Sequence, residues 1–170
     1  MGVMSKALLV GVSATTAVVM SAGAGAAGAE GADGVIGADR AVAPEADVAH
    51  HGHASLWSGQ LAVRLRPENH GPSGLTDATV RLDFSAPLAR GQALPADCLW
   101  GGDRTVLCRT GQLRADGRGR EITLDLRTAG SPAEVVVRID TAWNGGASDR
   151  NPENHQHRVL TPDTGDPYAF

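Results

Sequence analysis

The chain has 170 residues, 42% of them hydrophobic but only 4% aromatic, with two cysteines and 15 basic against 19 acidic side chains, a net charge of −4. That length suits a single domain able to close its own core. The acidic balance argues against nucleic acid as a partner, because binding a polyanion is driven by basic clusters.

Residues 1–29 read as a secretory signal: Lys6 supplies a positive start, Ala7 to Met20 is an uncharged apolar run, and the Ala-Gly-Ala triplets at 24–26 and 27–29 suit cleavage. The apolar run falls short of the ~20 residues that a membrane span requires. The mature chain is therefore expected to be secreted, with no membrane contact after cleavage. Removing Lys6 leaves 14 basic and 19 acidic side chains, a net charge of −5. All the remaining basic residues are arginine.

From residue 30 to 54 the chain is rich in Ala, Gly and acidic residues, with only Val35, Ile36, Val42 and Val48 as sizeable apolar side chains. So little apolar surface predicts a flexible tail. The globular domain is then expected over 55–161, followed by a short C-terminal tail at 162–170. Leu61, Val63 and Leu65 alternate with polar residues, and so do Val80, Leu82 and Phe84. Two half-buried strands of this kind, joined by the turn formers of Asn69 to Gly74, present one apolar face to a core. Pro87 and Pro95 make the segment after Phe84 irregular. A tight hairpin follows, in which Cys98 faces Cys108 and Trp100 faces Val106 across Gly101-Gly102-Asp103. Opposed cysteines in an exported chain predict a disulfide. Asp116-Gly117 turns the chain into a strand of Ile122, Leu124 and Leu126. Val135, Val137 and Ile139 share one face of the next strand, which Trp143 closes, and a weakly patterned strand spans about 155–161. The fold class is thus an all-β antiparallel sandwich.

The order of these features resembles the bacterial "domain of unknown function eleven" module. The features that carry the resemblance are Asn69-His70-Gly71-Pro72-Ser73, a Thr-Val-Arg-Leu strand, the Cys-to-Cys hairpin, Val-Val-Val-Arg-Ile, and Asp149-Arg150-Asn151-Pro152-Glu153-Asn154. It covers about 60–159 and implies an immunoglobulin-like β-sandwich of about seven strands in a surface or exported protein. His70 and His155 stand where that family's motifs carry a second Asn. The family assigns no catalytic residue, and the single copy here departs from its usual tandem arrangement as a spacer.

No catalytic constellation is legible, so an enzyme is not expected. Ser73 lies in Gly-Pro-Ser-Gly-Leu and misses the nucleophile-elbow pattern, and no His-Glu-x-x-His occurs. Asp149, Asn151 and Glu153 alternate like the start of a calcium loop, but Asn154 and Leu160 occupy the positions that need Gly and Glu. A loop held by Asn and Asp side chains is the expectation there. Trp57, Trp100 and Trp143 are assigned to the core in preference to a carbohydrate platform. The reading reached is a secreted, non-catalytic module with no cofactor, serving an extracellular protein or cell-wall partner or a structural role. An alternative is a copper- or zinc-binding sandwich using His50, His51, His53, His155 and His157, since clustered imidazoles hold such ions. His53-Ala54-Ser55-Leu56 and Leu82 to Pro87 also resemble parts of copper-resistance sandwich proteins.

Overall fold

A computed structural model describes residues 42–170, so the signal segment and the first part of the expected tail lie outside the described residues. Twelve strands follow in order: β1 Glu45–Ala46, β2 Val48–Trp57, β3 Gln60–Asn69, β4 Thr79–Phe84, β5 Cys98–Trp100, β6 Thr105–Arg109, β7 Gly117–Arg118, β8 Ile122–Arg127, β9 Glu134–Trp143, β10 Ser148–Asp149, β11 His157–Pro162 and β12 Tyr168–Ala169. Among the described residues there is no helix, and none is therefore long and apolar enough to cross a membrane.

One sheet runs β12-β2-β3, with β7 and β8 both pairing along β3, and the other runs β11-β9-β4-β6-β5. All pairs in these two sheets are antiparallel. The small β1–β10 pair is parallel. The two sheets share one buried cluster, into which Leu61, Val63, Leu65, Leu124 and Leu126 from the first meet Val80, Leu82, Val106, Val137 and Ile139 from the second. This is the sandwich that strict alternation demands, because each sheet has one apolar face and buries it against the other. A smaller cluster of Ala46, Val48, Leu75, Ala78 and Leu113 closes one end.

Three expectations are corrected. Residues 45–54 are not a tail: β2 pairs with β3 over ten residues, from Val48↔Asn69 to Trp57↔Gln60. Ser58 and Gly59 form the turn between them, both with positive φ (49° and 75°), the conformation of a two-residue turn matched to strand twist. The backbone of β2 is fully laddered, Ala54 and Leu56 complete the main core, and Val48 joins the smaller cluster. The strands β3 and β4 do not pair, either. The connection between them is too long for a tight hairpin and carries the chain from one sheet to the other, so their apolar faces oppose across the core. Finally, Trp57, Trp100 and Trp143 are 63%, 39% and 49% exposed, outside the core. The interior is filled instead by Leu, Val and Ile at the alternating positions.

The C-terminal residues dock. β12 pairs with β2 at Tyr168↔Ala54 and Ala169↔His53, and Gly52 and Phe170 exchange backbone hydrogen bonds of 3.1 and 3.0 Å. Gly52 is required there, because a Cβ would strike the Arg64 carbonyl and come within 2.9 Å of the Phe170 ring.

Candidate functional site

Alternation along β2 divides the histidines between its two faces. His50 points inward and is fully buried, whereas His51 and His53 point outward and are exposed. The five histidines proposed as one metal-binding set therefore lie in different surroundings.

On the inner side, His50 meets the end of β9 and the loop before β11. Its Nε2 is 2.9 Å from Thr141 Oγ1, its ring centroid is 6.3 Å from that of His155, and its Nδ1 finds no hydrogen-bond partner among the described residues. Burial, reinforced by the neighbouring His155, His157 and His51, lowers the His50 pKa to about 3, so the ring is neutral. His155 is nearly buried, with Nδ1 3.2 Å from Asp140 Oδ1 and Nε2 4.0 Å from Asp149 Oδ2. His157 Nε2 lies 3.1 Å from the Asn154 carbonyl. Thus the N-terminal strand and the last loop do come together, around a compact polar cluster.

That loop is held by side chains, as expected for it. Asp149 Oδ1 accepts from Asn151 N–H at 2.9 Å, and its Oδ2 accepts from Val48 N–H at 3.2 Å. Asn154 Nδ2 donates to Asp47 Oδ1 at 2.6 Å. Asn151 and Glu153 are exposed. At the same end, Asn69 is completely buried and uses all its hydrogen-bonding capacity. Its Oδ1 accepts from Asp47 N–H (3.1 Å) and Gly71 N–H (3.0 Å), while its Nδ2 donates to the carbonyls of Ser73 (2.8 Å) and Arg114 (3.2 Å). Gly71 is packed so closely that a Cβ would lie 2.6 Å from Ala46 Cα. Asn69-x-Gly71 is accordingly the clamp that lets β3 turn across to β4.

On the outer face, a cluster is present that the sequence reading did not assemble. The register puts Arg66 opposite His51 and Glu68 opposite Ala49, so Glu68 is the diagonal neighbour of His51. His70 follows Glu68 by two residues and falls on the same side, with Nε2 3.2 Å from Glu68 Oε2. One donor atom from each of His51, Glu68 and His70 lies within 4.8 Å of the others. Arg118, directly paired with Glu68 in the β3–β7 ladder, places Nε 3.0 Å from Glu68 Oε1. Burial works to raise the Glu68 pKa, but the hydrogen bond from His70, with Arg118 and His51, outweighs it and holds the carboxyl below its ordinary value. The missed signal was the Ser58-Gly59 turn, which fixes this register once 48–57 is recognised as a strand.

Elsewhere, Cys98 and Cys108 are directly paired across β5 and β6 and form a disulfide. Trp100 lines a cleft of about 280 Å³ with Leu88, Arg90 and Asp103. Trp143 pairs with Thr79 at the start of β4, whereas Leu88 follows that strand's end, so Trp100 and Trp143 occupy opposite ends of the sandwich. The tryptophans do not make one platform.

No family model matches the chain, and no curated protein matches it either. A search of solved structures finds the β-glucosidase 3B of Thermotoga neapolitana in complex with α-D-glucose, at 16% identity and a TM-score of 0.38. The match covers 74% of this chain and 17% of that one. It decides nothing about function.

Proposed function

We propose that the protein is a secreted, non-catalytic immunoglobulin-like module of the "domain of unknown function eleven" kind, acting outside the cell on a protein or cell-wall partner or in a structural role. The observation that carries the extracellular part is the Cys98–Cys108 disulfide, since such bonds persist in oxidising compartments. The secretory character of residues 1–29 agrees with it. The immunoglobulin-like part is supported by how seven strands of five residues or more divide between the sheets. The first, second and fifth of them (β2, β3, β8) share one sheet, and the third, fourth, sixth and seventh (β4, β6, β9, β11) share the other. This is the partition of strands A, B and E against C, C′, F and G in immunoglobulin-type sandwiches. Unlike the inter-sheet bond of antibody domains, the disulfide here staples a hairpin at a sheet edge. Mass spectrometry of the protein recovered from culture medium tests the reading: a cleaved chain with both cysteines oxidised is expected. Recovery only from the cytoplasm, with an intact start and free thiols, would refute it. Capture from cell-wall and supernatant fractions with the mature chain as bait then identifies the partner.

A further inference from the structure

The outer face of the β2–β3 hairpin carries two imidazoles and a carboxylate with a donor atom of each within 4.8 Å of the others, an arrangement that strand geometry alone does not require. We propose that His51, Glu68 and His70 form a three-ligand site for a divalent transition cation, zinc(II) fitting best. The inference goes beyond the module reading above and does not depend on it.

Three observations carry it. First, the donor atoms are already close: all three lie within 4.8 Å of one another, and His70 Nε2 is 3.2 Å from Glu68 Oε2. In a tetrahedral zinc site, with metal–ligand bonds of about 2.0–2.2 Å, neighbouring donors stand about 3.4 Å apart. Small side-chain rotations therefore suffice, and a cation would take the place of the His70–Glu68 hydrogen bond. Second, the carboxylate is oriented from behind. Arg118 holds Glu68 Oε1 at 3.0 Å and leaves Oε2 for the metal, which is the outer-shell role that ligating carboxylates commonly need. Third, the surrounding charge is compensated. The neighbouring Arg64 is paired with Asp125 (2.9 Å) on β8 and Arg66 with Glu121 (3.2 Å), the residue before β8, whereas Arg118 bears directly on Glu68. Ala49, opposite Glu68, offers only a methyl group and keeps nothing bulky between the ligands.

Two nitrogens and one carboxylate oxygen leave a fourth tetrahedral position for water or for a donor from another molecule. The mixed donor set suits zinc and copper rather than calcium, which takes six to eight oxygens. His53, two residues along the same face, lies opposite Arg64 and is not a ligand.

The test uses the full untagged chain and zinc(II) chloride. Calorimetry should give one zinc per chain with a dissociation constant of about 10 μM or tighter. His51→Ala, Glu68→Gln and His70→Ala should each weaken binding by about tenfold or more, while His53→Ala and His155→Ala leave it unchanged. Ring resonances of the unsubstituted chain provide a second readout that a change of local fold in a variant does not confound: zinc should shift those of His51 and His70 and spare His155. Calcium should not compete. Absence of saturable binding below about 100 μM, or stoichiometric binding that survives both His51→Ala and His70→Ala, overturns the proposal. Loss of binding in His155→Ala instead would also overturn it, by moving the ion to the inner cluster.

Discussion

Replacing Asn69 by alanine tests the view that one buried amide organises the crossing between sheets. The substitution removes four hydrogen bonds of 2.8–3.2 Å and leaves the N–H groups of Asp47 and Gly71 and the carbonyls of Ser73 and Arg114 to find other partners. At about 1 kcal/mol net for each bond, with partial rehydration of the loop carbonyls, the loss should come to about 3–4 kcal/mol. That is a large fraction of the ~5–15 kcal/mol by which domains are usually stable. Asn69→Asp keeps both acceptor contacts but sets a carboxylate against two carbonyl oxygens, so it should also destabilise strongly, by at least ~2 kcal/mol. Urea unfolding followed by tryptophan fluorescence, with linear extrapolation, measures both. His70→Ala, next door but exposed, should change stability by less than ~0.5 kcal/mol without metal. An Asn69→Ala loss below ~1 kcal/mol would show that the loop is held by backbone packing, and the argument for the clamp would fail.

His50 binds its proton only near pH 3 in the folded chain, against an ordinary value of ~6.5 unfolded. The unfolded state therefore takes up the proton first, and the stability this supplies is complete above pH ~6.5 and lost as pH falls from there toward 3. Between pH 7.5 and pH 5 the loss from this residue should be about 2 kcal/mol. His50→Gln should flatten the profile by that amount relative to wild type; identical slopes would contradict a buried neutral ring. Cys98→Ser should leave a folded sandwich that is about 2–3 kcal/mol less stable, because the bond closes a short loop. Complete unfolding of the variant at 25 °C, seen by circular dichroism, would show the core to be weaker than its burial suggests. Gly52→Ala should cost at least ~2 kcal/mol by overpacking, through contact with the Arg64 carbonyl and the Phe170 ring. Protease susceptibility at 167–170 should rise with it, and unchanged melting and cleavage would mean that the C-terminal strand is not seated against β2.

Much of the fold was written locally. Period-two alternation marked β3, β4, β8 and β9, because in a sandwich each of these strands has one wet face and one dry face. Cys98 and Cys108 were legible as a pair because a short hairpin fixes their register without help from the rest of the chain. Strand β2 was not legible. Its sequence, Val-Ala-His-His-Gly-His-Ala-Ser-Leu-Trp, is dominated by small and polar side chains with Val48 and Leu56 far apart, so no apolar alternation marks it, and the ladder to β3 and the docked C-terminus fix its place. The tryptophans misled for the converse reason: their size argues for burial, yet they sit at strand ends and outward positions beyond a core already filled by aliphatic residues. Composition and local pattern thus determined the class of fold, the hairpin and its disulfide. Only tertiary structure decided that His50 is desolvated beside His155 while His51 faces Glu68 and His70. Adjacent residues on a strand point to opposite faces, and which face meets which neighbour depends on pairings made far along the chain.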